Sequence, residues 1–350
     1  MHLLALLLLQ AYPAIASDWS RVTPDPRPAP LSRLTIDPIY KQVYDEVDSA
    51  RLETLLRQLT GYDPVTVAGR SVAITERYSP AGKANFRAFW LQYFQNLGIP
   101  AREMAYPTRH HLGETNGHNL EAVLEGKSKD SVVVIVHYDS MGPRSNPTGN
   151  PAVDDDMTGM AISMETARLL AARRDRLQKT VRFVAADYEE QGALEGARQY
   201  ASYIKDLAAR EGFRVTAAVD NEQSGWDCSE EEGCGFSGGP VGGKTPVDIF
   251  SCSGDGTGYN YPAMGDALAA VATSYGGMAT NRGCIGENSD HYAMWEIGVP
   301  SVVYSEHDPF ENPHFDESGG DTIDKIAKDY YFGIARIGVT FAATLAGLSN

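Results

Sequence analysis

From residue 131 onwards the chain alternates strand-like and helix-like patterns. That alternation predicts an α/β fold with a mixed, largely parallel central sheet sandwiched by helices. Two runs carry the prediction. SVVVIVH at 131–137 is continuously apolar, the mark of a strand covered on both faces, and TVRFVAA at 180–186 is a second such run. Between them, MTGMAISMETARLLAARR places its apolar residues at helical spacing, as a crossover helix requires. The 350 residues are enough to bury one large core.

Taken in order, the chain opens with MHLLALLLLQAYPAIA, a short apolar run ending in Ala14-Ile15-Ala16. This predicts a secretory signal peptide over 1–16, although its start lacks the usual Lys or Arg. Residues 17–40 are Pro-rich and read as an extended arm or a short propeptide. A helical pattern begins near Val43 and runs through VDSARLETLLRQL; a second helix spans 82–98, closed by Gly98 and Pro100. After the two strands and the helix between them come helix 194–210, strand 214–220, strand 247–251, a helix around 265–275, strand 300–304 and a last helix from about Ile323. Residues 225–245 are Gly-rich and read as a loop insertion. The folded unit is therefore expected over 41–350.

Composition narrows the function. A formal net charge of −16 excludes nucleic acid as a main partner, because phosphate binding needs a basic surface. No segment after the first sixteen residues has the roughly 18 apolar residues needed to cross a bilayer. A soluble, secreted protein (extracellular or periplasmic) is expected, and a monomer. Export permits disulfides. The four cysteines allow three pairings; Cys228 with Cys234 makes a short local loop, leaving Cys252 with Cys284. Without CxxC spacing, a structural zinc site on these cysteines is disfavoured.

In parallel α/β sheets, function gathers at the carboxyl ends of the strands. Here those ends carry His137-Tyr138-Asp139, then Asp154-Asp155-Asp156, then Glu189-Glu190, then Asp220, with Ser289-Asp290-His291 and NPHFDESGGDT later. Each has an ordinary explanation alone: a hydrogen-bonded core histidine, a helix cap, a solvated acidic pair. Together they form the mixed nitrogen and oxygen donor set of a zinc site.

The order VHYDS, AVDDDMTG, YEEQG, AAVDN, SDH and NPHF…GGDT resembles the secreted di-zinc aminopeptidase family of metallopeptidases, the co-catalytic, leucyl aminopeptidase-like zinc exopeptidases. The resemblance covers roughly residues 45–340. It implies a zinc exopeptidase catalytic domain of the phosphorylase/hydrolase-like fold, two Zn2+ per chain, and peptide substrates cut at the amino-terminal end. It also implies that His137, Asp155, Glu190, Asp220 and a late histidine hold the metals, with Asp155 bridging them. A bridging anion is what two neighbouring cations require. Glu189 is implied as the general base acting on a metal-activated water, and Asp139 as the carboxylate that orients His137. Asp154 and Asp156 are then left to capping and net charge.

Two departures stand out. EEQGALEG has one residue more than the family's EExGxxG, which touches a helix start and not the ligands. The family's last ligand histidine falls three residues after the proline of NP, where this chain has Asp316; the histidine is His314. Residues 314 and 316 share a side of an extended segment, and His314 is favoured as the imidazole. His307 and His291 are weaker candidates, while Asp321 and Thr322 are expected to brace the loop. Three rival readings remain: a glutaminyl cyclase-like acyltransferase with one zinc, a carboxypeptidase on the same fold, and a metal-free binding ectodomain.

Overall fold

The computed structural model describes residues 23–24, 35–109, 113–230, 234, 245–314 and 319–349. The expected signal peptide, most of the arm at 17–40, and Asp316 lie outside them. Strand β1 (Thr23–Pro24) is followed by α1 (Pro38–Asp45) and α2 (Ser49–Leu59). The sequence pattern joins these two helices, but Asp48 separates them. Its carboxylate accepts the N–H groups of Ala50 (3.0 Å) and Arg51 (3.2 Å), starting α2 afresh. A small hairpin, β2 (Val65–Val67) and β3 (Arg70–Val72), precedes α3 (Pro80–Asn96), which Ser79 caps through Gly82 N–H (3.1 Å).

The main sheet then develops. Strands β4 (Ala101–Pro107), β5 (Asn116–Leu124) and β6 (Ser128–His137) lead into α4 (Gly159–Ala171), β7 (Lys179–Ala186), α5 (Glu195–Glu211) and β8 (Val215–Asn221). After them come β9 (Val247–Ser253), α6 (Pro262–Val271), β10 (Thr280–Ile285), α7 (His291–Glu296), β11 (Ser301–Ser305) and α8 (Lys328–Ala346). The nine-stranded order is β1-β10-β9-β11-β8-β6-β7-β5-β4. Its centre, β11-β8-β6-β7, is parallel, and antiparallel pairs flank it on both sides. This is the mixed sheet with a parallel core that the sequence predicts. The last helix starts later than expected. Residues 323–325 form only a 3-10 turn, and the Ala327 N–H is pinned to Gly225 O (2.7 Å) before α8 begins.

Alternation along the central strands builds two cores. Val134 and Val136 of β6 join Phe183, Val219 and Tyr304 against α4 and α8. Val133 and Ile135 point the other way, with Val184, Ala218 and Val303, against α5 and α7. This three-layer packing explains the uninterrupted apolar run of β6. Both expected disulfides form: Cys228–Cys234 (Cα–Cα 5.0 Å) and Cys252–Cys284 (4.6 Å), the latter tying β9 to β10. No described helix is long and apolar enough to cross a membrane.

Candidate metal centre

Register places the chemistry. β6 pairs in parallel with β7, His137 opposite Ala186, and with β8, Ile135 opposite Asp220; β11 sets Val303 beside Asp220. The carboxyl ends of β6, β7, β8 and β11 therefore meet along one edge. His137, fully buried, presents Nε2 to Asp155 Oδ1 (2.9 Å) and Glu222 Oε1 (3.4 Å). One donor atom each of His137, Asp156 and Glu222 also lies within 4.8 Å of the others. His137 Nδ1 rests against the backbone carbonyl of Asp139 (3.1 Å), which fixes the ring orientation.

The Asp139 carboxylate is 3.8 Å from that Nδ1, and its work is elsewhere. It accepts the N–H groups of Glu189 (2.9 Å) and Gln191 (3.3 Å), holding the turn that carries Glu189 and Glu190 at the end of β7. Glu189 and Glu190 are half-buried there. Asp220 is buried, its Oδ2 receiving Ser289 Oγ–H (2.8 Å) and the His291 N–H (2.9 Å). Ser289 Oγ lies closer still to Glu222 Oε2 (2.6 Å), so the two carboxylates share one hydroxyl. Glu222 and Gln223 carry no family motif in the sequence, and Asp290, inside SDH, is given no role there. The two-residue period of a strand end is the signal that would have put Glu222 on the face of Asp220.

The loop 152–158 is held from several sides. Asp321 accepts the N–H groups of Asp154 (2.7 Å) and Asp155 (3.0 Å), the bracing role expected of it. Gln223 Nε2 donates to Asp155 Oδ2 (2.8 Å). Asp154 is buried, not a surface charge. It accepts from Ser224 N–H (2.9 Å), Gly225 N–H (2.7 Å) and Asn312 Nδ2 (3.0 Å). Asp156 caps α4 through Gly159 N–H (3.0 Å). Asn312 also donates to Glu306 (2.9 Å), and its Oδ1 accepts the half-buried His314's N–H (2.9 Å). The segment bearing His314 is thus tethered to the loop bearing Asp155. Arg77, wholly buried, donates to the carbonyls of Tyr138 (2.9 Å), Ala152 (2.8 Å) and Leu59 (3.3 Å). It locks the end of β6 to the start of the acidic loop, and sequence patterns give no hint of it.

The electrostatics are those of a site with too many carboxyls for its cations. Burial pushes Glu189, Asp156 and Asp290 well above the usual carboxylate range, and neighbouring carboxylates add to it. Glu222 is pushed up to about 8, by burial first and by the Asp155 and Asp220 charges. His137 moves up although burial opposes protonation, because the Glu222 charge and the Asp155 contact outweigh it. Several buried atoms make no hydrogen bond: Asp156 Oδ2, both carboxylate oxygens of Asp290 and His291 Nε2. Native proteins satisfy such atoms. Imidazole and carboxylates converging with unsatisfied oxygens fit zinc.

Comparison with known proteins bears on the family and the fold. The model of Peptidase family M28 matches residues 119–342. Leucine aminopeptidase 1 of Coccidioides posadasii is 24% identical over 236 residues, covering 65% of this chain and 55% of that protein. A probable zinc metalloprotease of Leptosphaeria maculans is 27% identical over 267 residues, covering 66% and 57%. The chain thus spans little more than half the length of the curated relatives it matches. Among solved structures, the LapA aminopeptidase of Legionella pneumophila superposes with a TM-score of 0.66 at 17% identity, covering 93% of this chain and 80% of that one. Glutaminyl cyclase of Porphyromonas gingivalis superposes at 0.64 and 14%, covering 85% and 98%. At these identities the structural likeness bears on the fold alone.

Proposed function

Because the chain belongs to peptidase family M28, we propose that it is a secreted zinc-dependent exopeptidase that removes amino-terminal residues from peptides. The observation that carries this reading is the meeting of His137, Asp155, Asp156 and Glu222 at the strand ends, beside a Glu189 held by its own backbone. His137, Asp155, Glu190, Asp220 and His314 are the proposed metal ligands for two Zn2+, with Glu222 a further donor at the His137 end. Zinc in this set would supply a Lewis acid for the scissile carbonyl and lower the pKa of water.

The chain's own residues do the rest. Glu189 takes a proton on its carboxylate from the attacking water and passes it to the nitrogen of the leaving amine. Asp139 keeps the Glu189 backbone at a fixed distance from the end of β6, so the base stays aimed while its side chain moves. The two disulfides support secretion.

A single-zinc cyclase is the rival reading, because a glutaminyl cyclase and an aminopeptidase share this fold. Metal analysis joined to a panel of free and amino-blocked aminoacyl substrates separates the readings. Two zincs that depend on the strand-end cluster, counted as the difference between wild type and a chain stripped of His137 and Asp155, and cleavage of free amines alone are expected. One such zinc with pyroglutamyl product, or equal rates on blocked substrates, would overturn the proposal. Glu189→Gln should abolish turnover and leave the zinc content unchanged.

A further inference from the structure

A second buried cluster lies outside the site just described, on residues that the peptidase reading does not use. β9 runs antiparallel to β11, which sets Asp248 opposite Ser305. The chain leaving β11 turns at Asp308, whose φ is +53°, and folds His307 back over Asp248. His307 Nδ1 then sits 2.7 Å from Asp248 Oδ1, and the Asp308 N–H donates to Asp248 Oδ2 at 3.2 Å. The three side chains are 1%, 2% and 4% exposed for His307, Asp248 and Asp308.

The other ring nitrogen is the telling atom. His307 Nε2 is buried and makes no hydrogen bond, and the Asp308 carboxylate is 3.7 Å away, too far for one. Neither protonation state of the ring cures this: a bare Nε2 leaves a buried lone pair, and a protonated one leaves a buried donor. A ring that gives Nδ1–H to a carboxylate and turns a bare Nε2 into a pocket is how proteins present histidine to a metal. One donor atom each of Asp248, His307 and Asp308 falls within 4.8 Å of the others.

We propose that His307 Nε2 and the Asp308 carboxylate hold a further metal ion, separate from the catalytic cluster, with Asp248 the carboxylate that orients the ring; the metal is a borderline divalent transition metal such as zinc. Imidazole nitrogen beside a carboxylate selects that class over calcium or magnesium, which take oxygen donors. The site is three strands from His137 in the order β6, β8, β11, β9, about 14 Å at ~4.8 Å per strand. Its role is structural. The neighbouring Glu306 accepts Trp226 N–H (2.6 Å) and shares Asn312 with Asp154, so a cation here anchors the 306–312 turn that braces the acidic loop.

Zinc retained after dialysis, measured by inductively coupled plasma mass spectrometry on the full chain, tests this independently of the peptidase reading. An Asp155→Asn chain, with its catalytic cluster crippled, should still hold zinc, and adding His307→Gln should remove one molar equivalent. Asp155→Asn/Asp308→Asn repeats the comparison should the first pair fail to fold. Asp155→Asn protein without zinc, or equal zinc with and without the second change, would overturn the site. Either result leaves the assignment of Glu189 untouched.

Discussion

Replacing Arg77 with methionine probes the link that aligns the β6 end with the acidic loop. The side chain is wholly buried and spends its donors on three carbonyls, those of Tyr138, Ala152 and Leu59. Burial lowers its pKa to about 10, against the pull of Asp321, Glu76, Asp139 and Asp155, so it carries its charge at neutral pH. Methionine fills the volume and leaves the three acceptors bare. A buried carbonyl without a donor costs about 1–3 kcal/mol, and dispensing with the buried charge offsets part of the sum. A net loss of about 3–5 kcal/mol follows, near that of breaking a buried ion pair. Urea unfolding reads the stability, and zinc content after dialysis reads the loop. Both should fall, because Ala152 and Tyr138 flank the residues that present Asp155 and His137. Arg57→Met is the control: Arg57 pairs with Asp63 at the surface (2.8 Å), and exposed pairs contribute little. An Arg77→Met protein that unfolds at the wild-type midpoint with full zinc would refute the reasoning.

Other perturbations have equally definite outcomes. Burial would raise Glu114, but the Tyr188 hydroxyl and the Lys83 ammonium (2.9 Å) outweigh it and hold its carboxyl below 4.5. A depressed folded-state value adds stability that is fully present above 4.5 and fades as pH falls through the folded value. Glu114→Gln should therefore be less stable than wild type at pH 6, the gap closing towards pH 3 in pH-resolved thermal melts; a pH-independent gap would count against the pairing. Removing both Cys252 and Cys284 opens a 32-residue separation and should cost about 3–4 kcal/mol in urea unfolding. His314→Ala should lose a zinc and most activity while Asp316→Ala is milder, and the reverse ranking would move the last ligand two residues along.

The sequence alone determined the parallel core, because strands buried on both faces have to be continuously apolar, and β6 and β7 are. Motif order was as local. His137, Glu189, Glu190 and Asp220 sit at or just past strand ends, where chemistry gathers in such sheets, and Asp155 lies in the long loop that follows β6. The cysteine pairing was legible too, since one pair is six residues apart. The edges were harder to read: β4 exposes Arg102 and Glu103, so its pattern is polar and its strand character comes from pairing with β5. Only the tertiary structure decided what surrounds the proposed metal ligands. Arg77, Glu222, Gln223 and Asp248 belong to no motif of the family pattern, and their roles arise from register and chain reversal that bring distant segments together. Asp139 shows the same division. Its spacing from His137 marked it as a partner of the ring, while the fold turned its carboxylate onto the backbone of Glu189, because β7 ends where two unpaired N–H groups needed an acceptor.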